Sequence, residues 1–476
     1  MTGADLLPFA PIALPAVAAV VLMAVIAVHR SHLAAAVISF LGLAGAFAAI
    51  PSAATAIPRQ IGVLLVVDRF ALVVTGILVA TAAAVVLLTF AYLRRVAEPP
   101  EELYLLLLIA TFGASLLAAA DHLVALFIGL ETLSIALYGA IGYTRRRGAA
   151  VGAALMYLVI AAASSAFLLF GAALLYAGTG TMRLGELTSR LAALDPVLAA
   201  GALLLVLVAV GFKLGAAPFH LWTPDVYRGA PAPVTAFVAS VSKAGVVAVL
   251  LRLYATLGAP PAPVITAAVG LLAVASIVVG NLLAVREQDL KRLLAYSSIA
   301  HIGYLLVALL PGGERAAAAT LVYLLTYLVA TVASFGVVSA LTGADGRERL
   351  LLADYRGLAW RRPILALGLA AAVASLAGLP LTAGFVGKLY AVLSAANAAL
   401  WIPVLALVAG SVVGVYYYLR IIFAMLTPAD DDTPEYPVVP VAAAVALTVA
   451  VGLVIWFGVF PSVVASIVAP AVAGLM

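Results

Sequence analysis

"GFKLGAAPFH", Gly211–His220, lies inside an apolar stretch that opens at Pro196. A lysine there is costly, because a buried ammonium loses its water. Pro218, five residues on, removes a helical hydrogen bond and ends the helix before it. Two costs side by side point to a working site. The half-helix that ends near Lys213 has free carbonyls with partial negative charge, which favour a cation. They also make the gap polar in an otherwise dry layer.

Composition supplies the layer. The chain has 476 residues, 66% hydrophobic and 9% charged. Soluble domains run near 25% charged, so this is an integral membrane protein. The net charge of +5 is spread over short loops and is no nucleic-acid footprint. Cysteine is absent, which excludes disulfides and cysteine-ligated iron–sulfur clusters from this chain. The N-terminal stretch has no basic region before its apolar run and is read as a first transmembrane helix. Only four of the 25 Lys and Arg residues are lysines: Lys213, Lys243, Lys291 and Lys388. Lys291 falls in a polar loop, where arginine should serve as well. The other three lie in apolar stretches, where only lysine can give up its proton.

Apolar runs of about 20 residues predict fourteen spans. They cover 8–28, 33–50, 70–93, 103–120, 122–142, 150–177, 196–225, 232–255, 262–285, 293–310, 316–342, 364–395, 400–426 and 437–460. Alternate connections carry Arg94–Arg95, "TRRRG" (144–148), "REQDLKR" (286–292) and "GRERLLLADYRGLAWRR" (346–362), which makes that side cytoplasmic and puts both termini outside. The seventh and twelfth spans are interrupted, by "KLGAAPFHLW" (213–222) and "LAGLPLTAGFVGKLY" (376–390). They stand five spans apart, and an odd repeat must invert in the membrane. Inverted repeats with paired broken helices are a transporter pattern, with ion sites at the breaks.

Four ionisable groups fall at membrane depth on four helices. Glu131 is ten residues beyond Asp121, about 15 Å by helical rise, half of a roughly 30 Å core. Lys243 is nine residues before Arg252, Lys213 twelve before Asp225, and Lys388 follows the break at Pro380. Such charges usually mark ion pathways. The alternative is a structural ion pair with the remaining groups reaching toward an interface. Burial disfavours an ammonium and a neighbouring carboxylate restores it, so Glu131 could switch Lys213 between binding and releasing a proton. His301, near Ser297, Ser298 and Tyr304, is either a relay or a satisfied core histidine, and His220 is structural. Nothing in their spacing favours a haem between them. Gly387–Lys388 is no phosphate loop, since Thr382 replaces the required glycine and Leu389 the hydroxyl residue. "DDDTPE" (430–435) reads as a solvated loop.

At these residues the sequence resembles a known family. "KLGAAPFHLWTPDVYRGAPAPVTAFVASVSK" (213–243), "NLLAVREQDLKRLLAYSSIAHIGYLLVAL" (281–309) and "ETLSIALYGAIGYTRR" (131–146) are similar to the antiporter-like membrane subunits of bacterial NADH:quinone oxidoreductase, respiratory complex I. Within that family "WTPDVYRGAPAPVT" and a lysine at 388 look like the N type rather than M or L. The resemblance implies an all-α polytopic fold of fourteen transmembrane helices, with two inverted five-helix repeats and broken helices 7 and 12. The corresponding divisions are 1–102, 103–255 for the first repeat, 256–426 for the second, and 427–476 for the last helix. It implies that Glu131 is paired with Lys213, that Lys243 connects, that His301 is a polar link along the axis, and that Lys388 ends the series. It implies proton translocation in a bacterial cell membrane, coupled to electron transfer from NADH to quinone. Flavin, iron–sulfur clusters and the quinone site would belong to partner subunits, with none of them held here. Subunit M, small membrane subunits and lipid would be the neighbours. A subunit of a multi-subunit cation/proton antiporter is the rival reading, and a spacer without a working channel is a third.

Overall fold

In the computed structural model, residues 3–191, 193–257, 262–343, 345–429 and 438–475 are described. The acidic stretch 430–435 lies outside them. The chain opens with α1 (Gly3–Val28), α2 (His32–Ala48) and the short α3 (Ile50–Ala53). A small antiparallel hairpin, β1 (Arg59–Ile61) and β2 (Leu65–Val67), leads into α4 (Arg69–Leu93). Then come α5 (Glu101–Ala119), α6 (Leu123–Ile141), α7 (Gly148–Thr179), α8 (Leu184–Leu191) and α9 (Pro196–Leu214). Next are α10 (Trp222–Gly229), α11 (Ala232–Phe237), one π-helical turn (Val238–Ser242) and α12 (Lys243–Thr256), the last three forming one continuous rod. The second half holds α13 (Pro263–Arg286), α14 (Leu290–Leu309), α15 (Gly313–Ala340), α16 (Leu358–Arg361), α17 (Pro363–Ala377), α18 (Ala383–Asn397) and α19 (Trp401–Leu426). The described chain closes with α20 (Val441–Val459) and α21 (Pro461–Leu475).

Thirteen helices among the described residues are long and apolar enough to cross a membrane, and the broken α17–α18 pair makes a fourteenth span. The fold is therefore the all-α polytopic bundle that the apolar runs predicted. Both interruptions end on glycine in the left-handed region, Gly215 at φ 71° and Gly378 at φ 83°, where a Cβ would be strained. In each break a proline follows within three residues. The helix α21 was not anticipated. Its apolar run is continuous with that of α20, so only the turn at Phe460 separates them. It packs along α4 and α15, with Gly474 against the backbone of Phe70.

Burial sorts the spans. The rod 232–255 and α15 are buried throughout, and α14 nearly so, while α1, α2, α7, α19 and α20 keep wide exposed apolar faces. Each enclosed helix carries several buried polar side chains, among them Lys243, Ser298, His301 and Thr326. Backbones approach closely around them: a Cβ on Gly280 of α13 would lie 2.5 Å from Ala300 N of α14. Small residues at such crossings are how membrane helices pack without a hydrophobic drive.

One expectation fails here. Lys291 is not in a solvated loop, since α14 begins at Leu290 with Asp289 as its cap. The connection after α15 folds back over this helix start, with Leu290 N–H bonded to Leu350 O at 2.7 Å and Leu352 N–H to Gln288 O at 2.9 Å. Lys291 is left fully buried, its Nζ donating to Glu348 Oε2 at 2.7 Å and Ala230 O at 2.6 Å. A polar stretch that folds back on itself buries a charge that the same composition elsewhere would leave in water. Lys291→Ala should therefore cost about 3–5 kcal/mol by stranding a buried carboxylate. Lys291→Arg should cost about 1–3 kcal/mol by overpacking a closed site. Thermal unfolding of the detergent-solubilised protein checks both, and wild-type stability in both variants would restore the solvated-loop reading.

Candidate functional site

The first break builds its site between α6, α7 and α9. Lys213 occupies the last turn of α9 and is 4% exposed. Its Nζ donates to Ser134 Oγ on α6 at 2.5 Å and lies over the rings of Tyr157 and Phe212 at 5.7 and 5.8 Å. Trp222 closes the aromatic wall, 4.8 Å from Tyr157 between centroids. Glu131 stands three residues before Ser134 on the same helix and is half-buried. It accepts from Ser165 Oγ of α7 and forms no ion pair with Lys213. The two groups share one site without touching. A serine takes the place opposite the lysine.

Two of the carbonyls expected to be free beside Lys213 are taken. Gly211 O accepts from Ala216 N–H at 2.8 Å, and Phe212 O from Gly215 N–H and the Trp222 indole, each at 2.9 Å. The left-handed cap and Trp222 use these two. At the second break the anticipated contact does exist, because Lys388 Nζ donates to Ala377 O at 2.8 Å, the last residue of α17. Lys388 belongs to α18 and reaches back across the gap. Although one lysine precedes its proline and the other follows it, both ammonium groups sit at the end of the leading half-helix.

Between the breaks lies the enclosed rod. Lys243, 1% exposed, directly follows the π turn and donates to Ser298 Oγ of α14 at 2.6 Å. That hydroxyl also meets Tyr327 OH at 2.6 Å and Tyr227 OH at 3.1 Å. One helical turn along α14, His301 is bonded through Nδ1 to Tyr323 OH at 2.7 Å and through Nε2 to Tyr418 OH at 3.1 Å. Tyr418 continues to Ser297. With both ring nitrogens occupied, His301 offers none to a haem iron. Asn281 then bridges Tyr304 and Tyr417 at 2.9 and 3.1 Å. Lys388 lies 5.1 Å over the Tyr304 ring. It also lines a cavity of about 310 Å³ between α18 and α19, with Ser411 and the exposed Phe385 and Val412. His220, buried in the first break, leaves Nδ1 without a partner and touches none of the lysines through a hydrogen bond among the described residues. No cluster of metal-ligating side chains occurs among the described residues.

Sequence reading singled out the ionisable groups and missed their hydrogen-bonding partners Ser134, Ser165, Tyr323 and Tyr418, and the nearby Tyr327 and Asn281. Ser134 stands three positions from Glu131 and Ser298 three from His301, which is the helical spacing that puts two groups on one face.

Residues 120–414 match the family described as NADH:quinone oxidoreductase/Mrp antiporter, TM. NADH-quinone oxidoreductase subunit N of Ectopseudomonas mendocina (strain ymp) is 44% identical over 89% of this chain and 87% of that protein. A chain of respiratory complex I from Thermus thermophilus, solved with bound aureothin, is 38% identical with a TM-score of 0.83, over 96% of this chain and 98% of that one. A chain of the Mrp complex from Dietzia sp. DQ12-45-1b shares the fold at TM-score 0.84 and 21% identity, over 100% of this chain and 98% of that one.

Ser298→Ala would leave the buried Lys243 ammonium without its acceptor. The expected loss is about 1.5–3 kcal/mol, the range for a hydrogen bond to a charged group, while Ser298→Thr should stay near wild type. Thermal unfolding of the two variants decides it, and equal stability would mean that Lys243 has another acceptor.

Proposed function

The chain belongs to the NADH:quinone oxidoreductase/Mrp antiporter transmembrane family, and from that premise we propose that it is a proton-translocating membrane subunit of an NADH:quinone oxidoreductase. Redox chemistry is assigned to partner subunits, which would hold the flavin, the iron–sulfur clusters and the quinone, and this chain moves protons. Identity of 44% over most of a subunit N relative supports this reading over a cation/proton antiporter, where the likeness is one of fold.

One observation carries the proposal. Lys213, Lys243 and Lys388 are each bonded to a neutral oxygen, of Ser134, Ser298 and Ala377, whereas Lys291 is bonded to a carboxylate. A lysine held by a neutral acceptor can give up its proton without stranding an anion. One locked in a buried ion pair cannot, because the lone carboxylate would then cost several kcal/mol. The four lysines thus divide into three that can cycle and one that holds structure. Arginine could replace none of the three, since it keeps its proton.

Their placement suggests an order. Glu131 and Lys213 form the loading end. Lys243 with Ser298, Tyr327 and Tyr227 forms the centre, His301 with its tyrosines the link, and Lys388 beside its cavity the release end. The basic loops mark the cytoplasmic side by the positive-inside rule, which leaves both termini outside. We assign 103–255 and 256–426 as the two inverted repeats, supported by the two glycine-capped breaks five spans apart. The segments 1–102 and 427–476 flank them. Subunit M is the neighbour proposed for one flank, in a bacterial cell membrane.

The test uses the assembled complex in vesicles, with NADH:quinone turnover and vesicle acidification measured together. Lys213→Ala and Glu131→Ala should assemble and lose both activities severalfold, although no redox group is touched. Wild-type values for both activities would show the site to be structural. Lys388→Arg should lose pumping even though the charge is kept, and full pumping by this variant would remove deprotonation from the role of Lys388.

A further inference from the structure

Glu348 was no candidate from sequence, yet its carboxylate draws three parts of the chain together. Its side chain is 4% exposed and accepts from Lys291 Nζ at 2.7 Å, Tyr92 OH at 2.8 Å and Ala232 N–H at 2.8 Å. Those donors come from α14, α4 and the first turn of α11. The segment that carries Glu348 is itself strapped across this end of the bundle. Arg147 holds Gly346 O, and Arg95 holds Ala340 O at 3.0 Å and Thr342 O at 2.8 Å.

The rod that begins at Ala232 bears Lys243. It is buried along its whole length, so it takes its axial position from contacts with the rest of the chain rather than from a membrane interface. Glu348 grips one end. At the other end Arg252 bonds both Asp68 oxygens at 3.0 Å and Ala118 O at 2.7 Å. The tolerance between the two grips is small. A slip of one residue moves a helix by about 1.5 Å, enough to take Lys243 Nζ out of hydrogen-bond range of Ser298 from its present 2.6 Å. The π turn at 238–242 fixes which residue faces Ser298, since its wider turn changes the register just before the lysine.

We propose that Glu348, through Lys291 and Ala232, is a positioning residue for Lys243: it sets the axial register in which the ammonium meets Ser298. The proposal rests on the proton-transfer role given to Lys243. It assigns the ion pair of the fourth lysine a purpose in the same process, with no proton of its own to carry.

A double-mutant cycle in the complete complex tests it, with vesicle acidification read per assembled complex. Glu348→Gln keeps an oxygen for Tyr92 and Ala232 but removes the anion facing Lys291. Glu348→Gln and Ser298→Ala should each reduce pumping severalfold, and the double variant should be no worse than the poorer single one, because both act through one contact. Multiplying losses, or wild-type pumping by Glu348→Gln, would overturn the proposal. If Glu348→Gln does not assemble, Glu348→Asp, which keeps the charge on a shorter arm, enters the same cycle with the same criteria. Lys243→Met separates the two levels of inference. Wild-type pumping by that variant removes the role given to Lys243, whereas its loss together with multiplying effects at Glu348 removes only the positioning role.

Discussion

An ammonium enclosed by apolar helices must have an oxygen within reach, and this requirement organises the bundle. Desolvating a charge without a partner costs more than a domain's whole stability margin can bear. Every buried lysine here has met the condition, in two chemically different ways. Three take a hydroxyl or a backbone carbonyl, and one takes a carboxylate. The first kind of contact tolerates a change of protonation state and the second resists it. On the function proposed above, the difference between a part that works and a part that holds comes down to whether the acceptor is charged.

The broken helices follow from the same need. Continuous helices bond their interior carbonyls to their own N–H groups, and only a helix end leaves carbonyls without a backbone partner. Interrupting α17 at Gly378 frees Ala377 O, and Lys388 occupies it. At the first break the cap and Trp222 use Gly211 O and Phe212 O, and Lys213 bonds a hydroxyl of α6. Two breaks alike in sequence have thus reached two solutions. In both, the lysine finds a neutral oxygen beside the break.

Much of this was legible in the residues. Long apolar runs and the Gly–Pro interruptions announce the spans, because the bilayer demands both length and apolarity. A lysine kept in a chain otherwise rich in arginine announces a special site, which for Lys291 is a buried ion pair. Acceptors were not legible, since a serine such as Ser134 or Ser298 is unremarkable until another helix brings an ammonium to it. Lys291 was misread for a related reason: "REQDLKR" has the composition of a solvated loop, and only the return of 346–352 across it shows otherwise. The last span was read to its end at 460, but the further helix α21 beyond it was not, since its 15 residues fall short of a span.

The close crossing of α13 and α14 has a bearing on biogenesis. Among the crossing helices α14 is the least apolar, and it is nearly all buried in the finished bundle. Left alone in lipid it would expose Ser297, Ser298, His301 and Tyr304 to hydrocarbon, an expensive state for a nascent chain. Its predecessor α13 is strongly apolar and still presents a wide lipid face at the end. Gly280 on one helix and Gly303 on the other let the pair come together at backbone distance. Entering the bilayer as a hairpin, the apolar partner can carry the polar one in and cover part of its face until α15 and α19 arrive. A bulky residue at Gly280 would therefore act early, on delivery into the membrane, before any proton has been moved.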